Sequence, residues 1–320
     1  MIIACATDNN YAPYCGIMLT SLFENNKNHS FSVYILSRDL NEENRLKFDL
    51  LARKYHSEIK IVDMNNYDWS NCPVREGDKL TVETYFRLAL PDILPESVHK
   101  ILYLDGDIII NSPIDDLYMQ DIHDAPFGAC VELVFYKEDE TRFAIEGIEK
   151  NKYFNAGVLL LNMDYWRTYH IAEKCFDLIN ANPNKLKYHD QDALNFVTSR
   201  NHQIKNLDIT YNFRSRYIEK YFFQSFSDNT KRRVSRCALN PVIVHFASMD
   251  KPWHKIYAGP YQSLFLYYKK RSLWADTPQQ KNYQTLRQYL GWLRRLFEMK
   301  IGLRRTSYMT RKELLKLSNL

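Results

Sequence analysis

"KILYLDGDIIINSP", residues 100–113, is the stretch on which the fold reading turns. An apolar run, Ile101 to Leu104, stops at Asp105 and Asp107, and a second run, Ile108 to Ile110, follows at once. Short apolar runs bounded by polar residues read as buried strands. An unpaired buried carboxylate is costly, so such a group is neutralised by a partner or a metal ion. If 103–107 is extended, the two aspartates, two apart, face the same side. They then stand at a strand's carboxyl end, where open α/β sheets bind ligands. Two convergent carboxylates there suit Mg²⁺ or Mn²⁺. A lone D-x-D is also found in solvated turns, but the flanking apolar runs bury this one.

Outward from this stretch, "IIACA" (2–6), "FSVYIL" (31–36) and "IKIVD" (59–63) read as strands without clean alternation, as burial on both faces demands. Between the last two, "NEENRLKFDLLARKYH" (41–56) carries Leu46, Leu50 and Leu51 at helical spacing, with Asn41 as N-cap. Strand–helix alternation predicts an α/β chain with a mostly parallel sheet. Further strands are expected at 100–104, 126–131, 157–162 and 241–246, and helices at 11–24, 83–90, 164–181, 190–199 and 260–273. Residues 132–152 read as a charged excursion. Residues 211–236, aromatic and basic, show no strong period.

The chain has 320 residues, 45% hydrophobic and 25% charged, ordinary for a globular protein. Its six cysteines show no C-x-x-C or Cys/His cluster and read as reduced cytosolic thiols. "MIIACATDNN" has no basic region and too short an apolar run for a signal peptide, and no run approaches a spanning helix. Residues 281–320 hold ten Lys/Arg against two acids, so the tail carries +8 of a net charge of +5 and the remainder is −3.

A third ligand candidate lies in "PVIVHFASMDKPWH" (241–254): His245 follows three apolar residues at a strand end, and Lys251 comes six residues later. Alone, a strand-end histidine is more often structural. With Asp105 and Asp107 it completes a two-carboxylate, one-imidazole set that leaves positions for diphosphate oxygens, and Lys251 is a compact charge for a phosphate. Other uses of the pair fit less well. Phosphatases of the haloacid dehalogenase type place Thr or Val where this chain has Ile109. A retaining glycosidase needs carboxyl groups roughly 5 Å apart and no metal. No G-x-G-x-x-G occurs, which argues against dinucleotide binding.

Six ordered motifs, "IACATDNNYAPY", "TYFRLALPDIL", "KILYLDGDIII", "YFNAGVLLLN", "YHDQDALN" and "HFASMDKPWH", together resemble the family 8 glycosyltransferases over roughly residues 1–258. The nearest look is that of the bacterial lipooligosaccharide and lipopolysaccharide galactosyl- and glucosyltransferases. The resemblance implies an α/β GT-A fold, a mostly parallel mixed sheet flanked by helices, α-linkage with retention, a UDP-hexose donor, and Mn²⁺, with Mg²⁺ as the alternative ion. By position it implies that Ala6, Asp8, Asn10 and Tyr11 hold uridine, that Asp105, Asp107 and His245 hold the metal, and that Lys251 holds the diphosphate. Arg87, Asp105, Asn155, Asp190 and Gln191 surround the donor sugar, with Gln191 and Asp190 the catalytic candidates. Read without the family, "FNAG" suits a turn, and Asp190 suits a helix cap. Ser248 stands where many relatives have glycine beside the phosphates.

The expected reaction moves galactose or glucose from UDP to a glycan hydroxyl. An amide is a poor nucleophile, so same-face attack is preferred, with Gln191 and Asp190 stabilising the sugar cation. A metal-dependent nucleotide-sugar hydrolase or phosphohydrolase, or a non-catalytic sugar-nucleotide binder, would use the same D-x-D. Residues 1–273 are expected to form the catalytic domain and 274–320 a basic amphipathic tail. In that tail Leu286, Leu290, Leu293 and Phe297 share a helical stripe from which Arg287, Arg294 and Arg295 fall away, which suits an anionic membrane surface. A cytoplasmic protein, peripheral on the plasma membrane's inner face and with no nucleic-acid partner, follows from this reading.

Overall fold

In the computed structural model, residues 1–74, 81–135, 149–182, 185–301 and 306–318 are described. In chain order the elements are β1 (Ile2–Ala6), α1 (Ala12–Asn25), β2 (Ser32–Ser37), α2 (Glu42–Lys54), β3 (Glu58–Asp63), α3 (Leu90–Ile93), β4 (Lys100–Leu104), β5 (Ile108–Ile110), α4 (Asp115–Tyr118), β6 (Phe127–Val131) and β7 (Phe154–Asn162). Then come α5 (Met163–Thr168), α6 (Ile171–Ala181), α7 (His189–Asn201), β8 (Lys205–Asn206), β9 (Phe213–Arg214), α8 (Lys220–Ser225), α9 (Asp228–Leu239), β10 (Ile243–His245), α10 (Gln262–Arg271), α11 (Leu286–Lys300) and α12 (Arg311–Ser318). Contacts divide the chain into two units. The first comprises Met1–Gly16, Asn26–Gly106 and Pro113–Asp208; the second comprises Ile17–Asn25, Asp107–Ser112 and Ile209–Leu320.

The first unit is built on a seven-stranded sheet in the order β3-β2-β1-β4-β7-β6-β8. Strands β3, β2, β1 and β4 run parallel, β7 is antiparallel to both its neighbours, and β8 is parallel to β6. The apolar runs that lack alternation became these central strands: Leu102 and Leu104 on one face and Ile101 and Tyr103 on the other are all buried. Asn41 caps α2 as expected, its side chain accepting from Asn44 N–H. Tyr85, Phe86, Phe127, Phe154 and Trp166 fill the core.

Three expectations change here. Residues 83–90 form tight 3₁₀ turns over Val82–Ala89 that lead into α3. The helix expected over 164–181 breaks into α5 and α6 at His170, whose φ of 52° is left-handed. "FNAG" lies inside β7, which starts at Phe154. The register slips at this point: Ala129 pairs with Leu159 but Cys130 with Asn155. A bulge of this kind re-aims side chains, and such bulges are over-represented beside active sites. The excursion expected over 132–152 falls mostly on residues outside those described.

The second unit holds a three-stranded sheet in which β10 runs antiparallel to β5 and parallel to β9. Aromatic edges pack it: Phe246 against Tyr257 and Phe265, and Phe213 against Tyr217 and Tyr261. The stretch without a period contains α9, capped by Ser227. Only Val234, Ser235 and Ala238 of that helix are buried, so four interspersed basic residues hid its stripe. Residues 274–282 are docked rather than free: Gln280 N–H donates to Trp253 O, Lys255 N–H donates to Gln280 O, and the Asn282 side chain bonds both N–H and C=O of Ile256. Farther on, Lys220 N–H donates to Ser307 O and Met309 N–H to Ile218 O. No helix among the described residues is long and apolar enough to cross a membrane.

Candidate active site

In the first unit the predicted residues gather at the carboxyl ends of β1 and β4, on the bulge of β7 and on the first turn of α7. Ala6 ends β1. Asp8 follows, and its Oδ1 accepts from Tyr11 N–H at 2.6 Å while its C=O accepts from Ala12 N–H. Burial pushes the Asp8 carboxyl up, against the pull of the Tyr11 N–H. Tyr11 packs edge-on against Tyr14, and Asn10 is exposed. A methyl group on Gly106 would meet the Tyr11 ring at 3.4 Å, an ordinary contact, so that ring lies beside the link between the two aspartates.

Arg87, 5% exposed, ties together the residues expected to face a donor sugar. Its Nε lies 2.8 Å from Asp190 Oδ2, its Nη2 donates to Asp105 Oδ1 at 3.1 Å, and its Nη1 donates to Ala156 O. The guanidinium also covers the Tyr103 ring at 4.3 Å. Asp190 is 1% exposed and accepts at Oδ1 from the Thr84 hydroxyl at 2.5 Å. Burial pushes its carboxyl up to about 6 against the opposing pull of Arg87 and Thr84. One guanidinium thus serves two carboxylates. Asp190 does not cap α7, because Tyr188 occupies the cap position without a side-chain bond. Asp192 takes that work instead, accepting from Lys187 and Tyr188 N–H at 2.8 Å each. The α7 entry is strained, with His189 at φ 46°.

Asn155 and Gln191 meet across the bulge. Gln191 Oε1 accepts from Asn155 Nδ2 and from Ala156 N–H, both at 3.0 Å, and its Nε2 donates to Tyr153 Oη at 2.8 Å.

In the second unit, Asp107, His245 and Lys251 come together. His245 ends β10, and its Nε2 is 3.2 Å from Asp107 Oδ1. Lys251 Nζ is 2.5 Å from Asp107 Oδ2 and also donates to Phe246 O. Burial alone would raise the Asp107 carboxyl, but Lys251 and then His245 outweigh it and hold it well below the usual carboxylate range. His245 Nδ1 meets Asn212 Oδ1 at 2.8 Å. An amide oxygen only accepts, so Nδ1 carries a proton and the ring turns Nε2 to Asp107. Two basic atoms, the Nε2 nitrogen and a carboxylate oxygen, face each other at 3.2 Å, a separation bridged by a proton or by a cation. The donor set of carboxylate and imidazole, with an outer partner fixing the tautomer, fits a divalent metal. Arg214 sits in β9 in register with His245, and burial pulls its guanidinium down to about 9.

Sequence reading missed Thr84, Tyr153, Asp192 and Asn212. Thr84, Tyr153 and Asp192 stand within the quoted motifs. Thr84 precedes Arg87 by one turn. Asn212 lies in the segment without a period, where nothing marked it.

The sequence profile described as Glycosyl transferase family 8 matches residues 2–257. A general stress protein A of Bacillus subtilis is 28% identical over 285 residues, covering 85% of this chain and 94% of that protein. A lipopolysaccharide 1,3-galactosyltransferase of Salmonella typhimurium is 25% identical over 281 residues, covering 85% and 79%. Among solved structures, the galactosyltransferase LgtC in complex with donor and acceptor sugar analogues superposes with a TM-score of 0.73 at 23% identity, covering 91% of this chain and all of that one. That likeness shows the fold, the GT-A type with its mostly parallel sheet. With a family profile spanning four-fifths of its length, the chain belongs to glycosyltransferase family 8.

Proposed function

We propose that this glycosyltransferase moves a hexose, galactose or glucose, from UDP to a hydroxyl of a surface-glycan acceptor with retention at the anomeric carbon. Support for the hexose and the glycan comes from relatives described as lipopolysaccharide galactosyl- and glucosyltransferases. The observation that carries the donor is the Asp107–His245–Lys251 cluster, an ionised carboxylate with an imidazole nitrogen at one oxygen and an ammonium at the other.

Asp107 and His245, with Asp105 two residues earlier in the chain, are the proposed ligands of Mn²⁺ or Mg²⁺. When bound, the ion supplies Lewis-acid neutralisation of the leaving diphosphate. Lys251 then turns its ammonium from Asp107 to the phosphate oxygens and stabilises charge there as the bond to the sugar breaks. Asp8 accepts from the uracil N–H, Tyr11 stacks on the base, and Ala6 and Asn10 line that subsite. Arg87, Asp105, Asn155, Asp190 and Gln191 face the sugar.

Retention is assigned to same-face attack by the acceptor. Gln191 Oε1 already accepts two hydrogen bonds, and Asp190 accepts from Thr84 at Oδ1, while its Oδ2, without a hydrogen-bond donor among the described residues, is held by the Arg87 ion pair. Neither group is set up as a nucleophile, whereas the carboxylates of Asp105 and Asp190 favour a sugar cation nearby.

Residues 274–320 are proposed to hold the enzyme on an anionic, cytoplasmic membrane face. Leu286, Leu290 and Phe297 of α11 are 68, 54 and 62% exposed. Tyr283, Tyr289 and Trp292 stack beside them, as interfacial aromatics do. UDP release with Mn²⁺ across a panel of UDP-sugars, with and without glycan acceptors, tests the enzyme reading. Release that never depends on acceptor makes the protein a hydrolase.

A further inference from the structure

The Gln191 amide is held by a hydrogen-bond chain whose direction can be read from its ends. Ala156 N–H can only donate, so the Gln191 atom facing it is oxygen. The amide nitrogen therefore faces Tyr153 and donates to its hydroxyl oxygen at 2.8 Å. Tyr153 in turn donates its proton to Asp192 Oδ1 at 2.5 Å. Asp192 is fully buried, and its other oxygen is fixed by the Lys187 and Tyr188 N–H groups. On the oxygen side, Asn155 Oδ1 accepts from Gly157 N–H, which aims Asn155 Nδ2 at Gln191. Every bond points one way, so rotation of the amide by 180° would set donor against donor at Ala156.

We infer that Tyr153 is a positioning residue whose hydroxyl joins Gln191 to the buried Asp192 carboxylate and so fixes which amide edge the donor sugar meets. This rests on the reading above that Gln191 faces the sugar. A phenol suits the task. Its ring is anchored edge-on to Phe135 at 5.8 Å, and its oxygen both accepts and donates. Phenylalanine keeps the ring and deletes only the relay. The consequence for chemistry is that Gln191 offers the sugar an N–H edge, because its oxygen is committed to Asn155 and Ala156.

The test is a double-mutant cycle of Tyr153→Phe and Gln191→Ala in the full chain with Mn²⁺ and the active UDP-sugar. Tyr153→Phe is expected to lower kcat about ten- to a hundredfold, as misplaced groups do, with donor KM within about twofold. In the Gln191→Ala background it is expected to add nothing. A Tyr153→Phe enzyme with wild-type kcat overturns the inference, and so does a loss that multiplies in full with that of Gln191→Ala. Thermal unfolding of the same four proteins reads the linkage without turnover, and additive Tm shifts overturn it. A wild-type protein that turns over no UDP-sugar overturns the functional reading itself; the Tm cycle then still decides the linkage.

Discussion

His245 Nε2 and Asp107 Oδ1 face each other at 3.2 Å while Asn212 holds the opposite ring nitrogen at 2.8 Å. Removing that outer partner frees the tautomer and the ring. Asn212→Ala is expected to weaken Mn²⁺ binding ten- to a hundredfold, the usual cost of losing an outer-shell partner. Calorimetric Mn²⁺ titration checks this. Asp107→Ala is expected to abolish Mn²⁺-dependent UDP binding with an unchanged circular dichroism spectrum, and undiminished binding would remove Asp107 from the ligand set.

Lys251 neutralises Asp107 in the structure and is assigned to the diphosphate in the reaction. Lys251→Ala is expected to lower kcat about 10²- to 10³-fold, the range for losing one preorganised electrostatic group. It also has an acid signature. A carboxyl held below its unfolded value contributes stability that is complete above about pH 4 and is lost as the pH falls through the depressed value. Lys251→Ala removes the larger of the two opposing pulls, so its acid-unfolding midpoint is expected at higher pH than that of the parent.

Arg87 stands between two carboxylates, one of them almost fully buried. Deleting a partner of a buried ion pair leaves an uncompensated charge and costs about 3–5 kcal/mol. Arg87→Leu is expected to lose stability in that range in urea unfolding, and Arg87→Leu/Asp190→Asn to recover part of it. Equal stability of the single and double variants would count against the pairing as the source.

Burial pushes the Asp190 carboxyl up to about 6, above its unfolded value. A raised value gives stability that is present below the unfolded value of about 4 and is lost as pH rises through 6. Activity runs the other way, since the proposed role needs the ionised group. The acid limb of log kcat is expected near pH 6 with unit slope. A flat profile from pH 5 to 8 would remove Asp190's charge from the mechanism.

Helix α11 presents exposed leucines and Phe297 beside arginines. Leu290→Glu/Phe297→Glu is expected to abolish flotation with anionic liposomes while leaving UDP release in solution within about twofold. Flotation equal to that of the parent would reassign α11 to another use.

The parallel part of the sheet was legible because strands buried on both faces must be written as apolar runs. The grouping of the candidate residues was legible where they stand in motifs at strand ends, as Asp107 and His245 do. Less legible was anything whose role is to hold another residue. Asn212 matters only through His245, and Tyr153 and Asp192 only through Gln191. Their identity is set by partners 33 to 39 positions away. The helix expected over 164–181 failed for a backbone reason: His170 adopts a left-handed φ, which residue type alone did not announce. "FNAG" read as a turn because a bulge, like a turn, breaks the apolar pattern.

Residues 280–282 clasp 253–256, just beyond Lys251. This fixes where the chain can be shortened without disturbing chemistry. A cut after residue 273 strips the clasp from the loop that carries Lys251, so it is expected to injure the proposed turnover and the proposed membrane attachment together. A cut after Asn282 spares the clasp but removes the backbone that pairs with Lys220 and Ile218. Point changes on the exposed face of α11 are therefore the way to separate the proposed attachment from the proposed catalysis.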